Sequence, residues 1–164
     1  MSLTTDQVSW VQQHLGVVTM SQLEIIIGSQ MGGTEYVAEQ LSDLMEDQGI
    51  SCTLHEQPDL KDMKMEAAWL ICTSTHGAGD YPDNLQPFVE DLNALTNLDN
   101  IRFAIIGIGD SSYDTYNYAA KNIEQLLLSK QAQPLLPRLE IDVLGEDLPE
   151  DTAERWLPEL LKHL

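Results

Sequence analysis

The chain has 164 residues, which is the length of about one domain. Eight Lys and Arg against 27 Asp and Glu give a net charge of −19, the sign opposite to that of a surface that contacts nucleic-acid phosphates. Because 43% of the residues are hydrophobic, we expect a globular protein with an acidic surface rather than a disordered acidic tail.

The first 60 residues contain acidic residues but no Lys or Arg. A secretory signal has a basic start and a transit peptide is rich in Arg, so neither is predicted here. No apolar run approaches the roughly 20 residues of a membrane span. Cys52 and Cys72 lie in apolar stretches without Cys-x-x-Cys spacing and are predicted to be reduced core residues. We therefore expect a cytoplasmic protein that does not associate with membranes.

Residues 1–22 differ from the rest of the chain and are predicted to be an extension with a short helix. Its removal up to residue 19 should leave the domain folded. From residue 23 onwards, short apolar runs alternate with stretches of helical periodicity. They predict strands over 23–27, 50–55, 67–73, 102–108 and 135–143, and helices over 35–48, 85–96, 118–129 and 151–164. Pro137 would interrupt the last strand and favours an edge position for it.

Apolar strands that alternate with helices predict a parallel sheet covered on both faces. Residues 23–164 are thus predicted to form one doubly wound α/β domain with five strands. Ligands of such domains bind beyond the carboxyl ends of the strands, near the position where the strand order reverses. The candidate ligand-binding segments are the loops at 28–34, 74–84 and 109–117.

The first loop, Gly28-Ser29-Gln30-Met31-Gly32-Gly33-Thr34, joins a strand to a helix N-terminus, where free N–H groups and the helix dipole favour an anion. No Lys follows the glycines, and their spacing is not Gly-x-Gly-x-x-Gly, so neither a Walker A loop nor a dinucleotide fingerprint is present. A phosphate would be held by backbone N–H groups and by the hydroxyls of Ser29 and Thr34. A plain strand–helix turn is the alternative interpretation.

The other two loops suit a flat aromatic ligand. Residues 74–84 are rich in glycine, which lets the backbone approach a ligand closely. The third loop and the residue after it contain Tyr113, Tyr116 and Tyr118, and tyrosines at the ligand edge of a sheet indicate stacking. Tyr116 and Tyr118 can equally pack against the start of the next helix. A phosphate cradle, a glycine hairpin and an aromatic plate at one sheet edge together favour flavin mononucleotide (FMN).

These three ordered motifs resemble those of flavodoxin-like FMN domains, a group that includes the short MioC-type proteins and the FMN modules of sulfite reductase and cytochrome P450 reductase. The resemblance extends from residue 23 to the C-terminus. It implies the strand order 2-1-3-4-5, Gly77 as the partner of flavin N5, and Tyr113 as the stacking ring. The residues that it implies for FMN binding are Ser29, Gln30, Met31, Gly32, Gly33, Thr34, Ser74, Thr75, His76, Gly77, Ala78, Gly79, Ile108, Gly109, Asp110, Tyr113, Tyr116 and Asn117.

Two residues depart from the pattern of that group. Met31 stands where many flavodoxins carry Thr or Ser, which removes one hydroxyl donor to the phosphate. His76 stands where P450-reductase-type domains carry Tyr, which leaves one flavin face less well stacked. Both substitutions would also fit an alternative function, a flavodoxin-fold interaction or regulatory module that has lost FMN binding.

The resemblance implies an electron carrier rather than an enzyme with its own substrate. We expect it to shuttle single electrons between a separate reductase and an acceptor enzyme, and the MioC-type resemblance suggests biotin synthesis as the process. No residue pattern indicates a catalytic acid–base pair or a metal site. The acidic surface predicts a monomer that forms transient, salt-sensitive complexes with basic partner proteins.

Overall fold

The computed structural model describes residues 21–29 and 32–164. The predicted short helix of the N-terminal extension lies outside the described residues, as do Gln30 and Met31 of the first loop. Among the residues that are described, no helix is both long and apolar enough to cross a membrane.

Strands and helices alternate along the chain, as the apolar runs predict. The strands are β1 (Gln22–Gly28), β2 (Ser51–His55), β3 (Ala68–Ser74), β4 (Arg102–Gly109), β5 (Gln133–Pro134) and β6 (Leu139–Asp142). The helices are α1 (Gly33–Glu46), α2 (Gln86–Ala94), α3 (Tyr118–Ser129) and α4 (Pro149–Leu161). A short 3-10 turn (Leu60–Asp62) precedes β3.

All strand pairs are parallel, and the sheet order is β2-β1-β3-β4-β5, with β6 also paired to β4. This confirms the order that the resemblance implies. The chain moves outward from β1 to β2 and then returns across β1 to β3, so the strand order reverses between β1 and β3. The loops that follow these two strands therefore flank the position where such sheets bind ligands.

The predicted fifth strand is at the predicted edge but is broken into two short pieces. Pro134 of β5 pairs with Phe103 of β4, and Leu139 of β6 pairs with Ile106 of β4. The edge strand thus advances five residues while β4 advances three, which leaves two extra residues as a bulge. The interruption at Pro137 agrees with the prediction, but the first piece, at Gln133–Pro134, precedes the predicted start of the strand at residue 135.

Side chains hold this bulge against the neighbouring helix. Pro137 lies in the bulge and has no N–H to donate to β4. The next residue, Arg138, forms salt bridges with Glu124 of α3 and, at 2.8 Å, with Glu140 of β6. The break in the strand is therefore fixed by a half-buried ion-pair network.

Alternate residues of the sheet contribute to two separate cores. Ile25 and Ile27 of β1 face a cluster that α1 and α4 cover, with Leu41 and Leu157 among its buried members. Ile26 faces the opposite cluster, which α2 and α3 cover. Helices on both faces of a parallel sheet are what the apolar strands predict.

β1 also carries a buried carboxylate. Glu24 is 2% exposed, and its Oε2 lies 2.7 Å from Nε2 of His55 on β2. The backbone N–H of Lys64 donates to the same oxygen at 3.4 Å. The charge is thus partnered from two sides, as a buried carboxylate requires.

The two cysteines lie on strands that β1 separates, and both are free thiols. Cys72 is buried in β3, whereas Cys52 of β2 is only partly buried, which corrects its prediction as a core residue. Burial raises the pKa of Cys52 to about 11 and that of Cys72 to about 12. Both side chains are therefore protonated at neutral pH.

We predict that neither thiol reacts readily with Ellman's reagent in the folded protein at about pH 8, because the thiolate is the reactive form. After unfolding in guanidinium chloride, two thiols per chain should react. Rapid release of the chromophore by the native protein would contradict the prediction.

The end of β1 packs against β3 without room for a side chain. A Cβ atom placed on Gly28 would lie 2.4 Å from Thr73 Oγ1 and 2.9 Å from Leu85 Cδ2. Only glycine therefore fits at the position where β1 ends and the first loop begins. Gly33, at the start of α1, has no atom within 4 Å of the equivalent position.

We predict that Gly28→Ala lowers the free energy of unfolding by about 1–3 kcal/mol, as expected when atoms are forced into a packed interior. Gly33→Ala is the matched control and should change it by less than about 1 kcal/mol. Denaturant unfolding of both variants measures the difference. Equal effects of the two substitutions would contradict the packing argument.

Candidate functional site

A cleft lies between the second and third loops at the carboxyl edge of the sheet. Its volume is about 290 Å³. The residues that line it are Thr75, Gly77, Gly109, Asp110, Tyr113, Thr115, Tyr116 and Asn117. All but Thr115 are among the residues that the sequence predicts for ligand binding.

The second loop forms a tight hairpin. The backbone N–H groups of His76 and Asp80 each donate to the other residue's carbonyl oxygen at 2.8 Å. Gly77 and Gly79 have φ angles of 52° and 105°, which are left-handed conformations that glycine adopts easily. His76 and Ala78 are exposed, whereas the Gly77 backbone borders the cleft.

Two carboxylates shape the third loop. Asp110 Oδ1 accepts hydrogen bonds from the backbone N–H of Ser112 at 2.8 Å and from its hydroxyl at 2.6 Å. Asp142, at the end of β6, accepts from the backbone N–H groups of Ser111 at 3.1 Å and Leu144 at 3.0 Å. The third loop is therefore tied both to itself and to the segment that follows the sheet edge.

The hydrogen bonds from Ser111, followed by the one from Leu144, lower the pKa of Asp142 below the usual value of a carboxyl group. A lowered pKa means that the charged form is favoured in the folded protein. The anchoring effect is complete above the unfolded-state pKa, which is about 3.9, and is lost as the pH falls through the lowered value. The hydrogen bonds that Asp142 accepts should therefore hold the third loop equally well at every pH near neutral.

Three tyrosines of this region have different surroundings. Tyr113 is 66% exposed at the mouth of the cleft. Tyr116 is half-buried, and burial, followed by the charge of Asp142, raises its pKa. The Lys121 ammonium lies 5.9 Å from the ring centroid of Tyr116 and 5.5 Å from that of Tyr118. Tyr113 is therefore the ring that is most free to cover a ligand.

Asn117 is a buried polar side chain at the cleft wall. It is fully buried, it has a φ angle of 55°, and neither its Oδ1 nor its Nδ2 has a hydrogen-bond partner among the described residues. A Cβ on Gly107 or Gly109 would come within 2.9 Å of Oδ1, so these glycines allow the amide to lie against β4. Buried polar groups are almost always paired. The amide of Asn117 is therefore an unusual buried polar group directly behind the cleft wall.

A second cavity, of about 380 Å³, lies at the first loop. The residues that line it are Ser29, Gly32, Glu35, Tyr36, Glu39, Glu56, Gln57 and Asn84. Gly32 precedes α1 with a φ angle of 85° and provides no side-chain cap, so the first N–H groups of the helix can bind an anion. Three glutamates and no Lys or Arg stand among these lining residues.

The Asn84 side chain joins three segments at this cavity. Its Nδ2 donates to the carbonyl oxygens of Ile27 at 2.7 Å and Glu56 at 2.8 Å. Its Oδ1 accepts from the backbone N–H of Ser29 at 3.0 Å. Ser29 in turn accepts a hydrogen bond from Gly32 through its hydroxyl oxygen, at 3.2 Å. One side chain thus positions the end of β1, the segment after β2 and the first loop.

Gly33, Thr34 and Ser74 are predicted site residues that line neither of the two cavities, whereas Thr75 lines the cleft. Thr34 is buried in the first turn of α1, whereas Gly33 is exposed. Ser74 donates to the Gly28 carbonyl oxygen at 3.4 Å. Thr75 Oγ1 accepts from the N–H of Ala119 at 3.1 Å, in the first turn of α3.

Ile108 and Gly79 lie away from the cleft lining. The Ile108 side chain is 7% exposed and belongs to the core beneath α1 and α4. Gly79 borders a further cavity with Asp80 and Tyr81 instead. Sequence reasoning placed Asn84 and Thr115 in the candidate loops but assigned them no role, and it missed Asp142 altogether, because the tertiary hydrogen bonds of Asn84 and Asp142 leave no pattern in the sequence.

Comparisons with known proteins agree with this architecture. The profile of the family described as Flavodoxin matches residues 25–156. The chain belongs to the flavodoxin family. Members of this family are FMN-binding electron-transfer proteins.

Individual flavodoxins and relatives match over nearly their whole length. The MioC homolog of Haemophilus influenzae is 48% identical over 141 residues, which cover 85% of this chain and 97% of the relative. Protein MioC of Escherichia coli K12 is 42% identical over 139 residues, 84% of this chain and 95% of the relative. The solved structure of a cysteine-to-alanine mutant of flavodoxin from Pseudomonas aeruginosa has a TM-score of 0.79 at 31% identity and covers 87% of this chain and 98% of that one.

The residues at the edge of this flavodoxin's sheet fit FMN. The cleft between the Gly77 and Tyr113 loops has the exposed Tyr113 ring at its mouth, and the buried Asn117 amide behind its wall has no described hydrogen-bond partner. The uncapped N-terminus of α1 offers N–H groups to a phosphate. Because the described residues that line the second cavity include no Lys or Arg, this phosphate would be bound without basic side chains.

We predict that Asn84→Ala lowers the free energy of unfolding by about 2–3 kcal/mol, because three hydrogen bonds are lost and two carbonyl groups lose a partner. The same change should weaken FMN binding by about tenfold or more, since the first loop loses its anchor. Urea unfolding and titration of flavin fluorescence measure the two effects.

Asn93→Ala is the matched control, because Asn93 is exposed on α2. It should leave both quantities within about 0.5 kcal/mol of the unchanged protein. A similar response of the two variants would show that Asn84 does not anchor the first loop.

Proposed function

We propose that this flavodoxin binds FMN between its second and third loops and carries single electrons between a separate reductase and an acceptor protein. The observation that carries the proposal is the buried, unpaired amide of Asn117 at the wall of a cleft bordered by Gly77 and Tyr113. When bound, FMN supplies the redox chemistry, and the protein sets its position and its electrostatic surroundings.

Different residues of the site would bind different parts of FMN. The Tyr113 ring would cover one face of the flavin, and the Gly77 backbone would approach its edge. The Asn117 amide would pair with polar atoms of the ring system. The first-turn N–H groups of α1 and the Ser29 hydroxyl would hold the phosphate, since the described lining residues include no basic side chain.

The acidic surroundings support two further parts of the proposal. A net charge of −19 disfavours the addition of negative charge to the flavin, which lowers its reduction potential. The same charge attracts basic reductases and acceptors and makes their complexes salt-sensitive.

The likeness to MioC-type proteins is the only support for an acceptor in biotin synthesis. Two free thiols accord with the reducing cytoplasm, where we place the protein.

One observation favours the alternative of a module without FMN. Glu35, Glu39 and Glu56 line the cavity in which the phosphate would lie, and like charges repel. Free riboflavin lacks the phosphate, so the relative affinities for FMN and riboflavin report the net effect of this cavity.

The proposal is tested by titrating the flavin-free protein with FMN and with riboflavin and then reducing the FMN complex stepwise without oxygen. We expect quenching of FMN fluorescence, tighter binding of FMN than of riboflavin, and reversible bleaching of the visible spectrum. A protein that leaves FMN fluorescence unquenched would overturn the proposal and favour the alternative. Equal binding of both flavins would overturn the assignment of the phosphate site.

We predict that Tyr113→Ala weakens FMN binding by about tenfold, because stacking on an aromatic ring contributes about 1–3 kcal/mol. Tyr113→Phe keeps the ring and should bind FMN as the unchanged protein does. Fluorescence titration of both variants separates the ring from the hydroxyl. If alanine has no effect, Tyr113 is not the stacking residue.

A further inference from the structure

The strand β2 forms one edge of the sheet and pairs only with β1. It has five residues, and none of them is fully buried. The ladder with β1 ends at His55, which lies opposite Ile26. A short edge strand with little buried apolar surface depends on other contacts to hold its end in place.

The end of β2 borders the cavity at the first loop. Glu56 and Gln57, the two residues that follow β2, line this cavity together with Ser29 and Gly32. The carbonyl oxygen of Glu56 also accepts a hydrogen bond from Asn84 at 2.8 Å. The position of the β2 end therefore affects both the shape of the cavity and the anchor of the first loop.

The side chains of Glu24 and His55 tie this end of β2 to β1. His55 Nε2 lies 2.7 Å from Glu24 Oε2, and the two side chains are 11% and 2% exposed, respectively. The imidazole can donate to the carboxylate either when it is doubly protonated or as the tautomer with its proton on Nε2. Because Ile26 is opposite His55, the pair lies on the face of the sheet that α2 and α3 cover.

His55 is the one side chain that pairs with Glu24 among the described residues. Lys64 donates its backbone N–H to the carboxylate, while its residue as a whole is exposed. Lys61 pairs instead with Asp59, at 3.5 Å. An apolar pair of similar size would avoid the desolvation of a buried carboxylate. The polar pair therefore points to a role in fixing position rather than in filling space.

We propose that Glu24 and His55 are a positioning pair for the first loop, where the phosphate of FMN would bind. The inference rests on the proposed function and concerns the phosphate end of the flavin alone. Neither side chain lines the cleft or the cavity at the first loop. The pair holds the β2 end in register, which places the Glu56 carbonyl for Asn84. Asn84 in turn holds the Ser29 N–H.

The main variant replaces both members of the pair, Glu24→Leu with His55→Leu. It leaves no unpaired charge in the interior, so the protein should keep its fold and most of its stability. A second variant, Glu24→Leu with His55→Phe, keeps a ring at residue 55 and is measured in the same way. Glu24→Gln is the conservative variant, because its amide oxygen can still accept from His55.

The matched control is Glu124→Leu with Arg138→Leu. These two residues also form a half-buried pair between separate elements, but they lie at the opposite edge of the sheet. Their replacement tests whether the loss of any such pair affects the first loop.

Fluorescence titrations with FMN and with riboflavin measure the ratio of the two dissociation constants, which reports on the phosphate. The double leucine variant of the pair should bind FMN about tenfold more weakly and riboflavin as the unchanged protein does. Glu24→Gln and the control should keep the original ratio.

Amide hydrogen exchange of the flavin-free protein gives a readout that does not depend on FMN. The Ser29 N–H, which donates to Asn84, should exchange about tenfold faster in the double leucine variant. Amides of β4 should keep their protection, because the sheet centre is not changed.

Two results would overturn the positioning role. One is an equal loss of affinity for FMN and riboflavin, with faster exchange throughout the sheet, which is the response to a general loss of stability. The other is an unchanged flavin ratio together with unchanged exchange at Ser29. If the unchanged protein quenches neither flavin, the proposed function fails, and the exchange rates still decide whether the pair positions the first loop.

Discussion

The hydrogen bonds of Asn84 hold together the segments on which the candidate FMN site is built. They link the Ile27 carbonyl and the Ser29 N–H, both at the end of β1, with the Glu56 carbonyl, which follows β2. Each segment is fixed on its other side by the sheet. The Asn84 amide therefore fixes the position of the first loop relative to the second. It thereby also fixes the distance between the cavity at the first loop and the cleft.

The electrostatics of the site follow from how this loop is built. At the start of α1, the N-cap Gly32 leaves backbone N–H groups free, and the described residues that line the adjacent cavity include no Lys or Arg. An anion can then be bound by dipoles while the surface stays acidic. The partial positive charge that would bind the anion is local to the helix end.

Much of the fold could be predicted because the strands are apolar runs that indicate burial on both faces. β1, β3 and β4 have this character, and α3 coincides with its predicted range. The interruption of the edge strand could be predicted from Pro137, but the salt bridge that holds it could not, since it depends on Arg138 meeting Glu124 of a distant helix. The motifs located the cleft, yet motif membership also included Ile108, whose side chain alternates into the core. Asn84 and Asp142 act through tertiary hydrogen bonds that no spacing in the sequence reveals.

The broken edge strand has a consequence for how the molecule meets its own copies. A regular edge strand exposes a row of N–H and carbonyl groups that can pair with another sheet. Here Pro134 and Pro137 have no N–H to offer, and the bulge between β5 and β6 interrupts the row. A second chain cannot extend the sheet at this side by regular strand addition. The edge is thereby protected from aggregation, without any need for the acidic residues that surround the cleft.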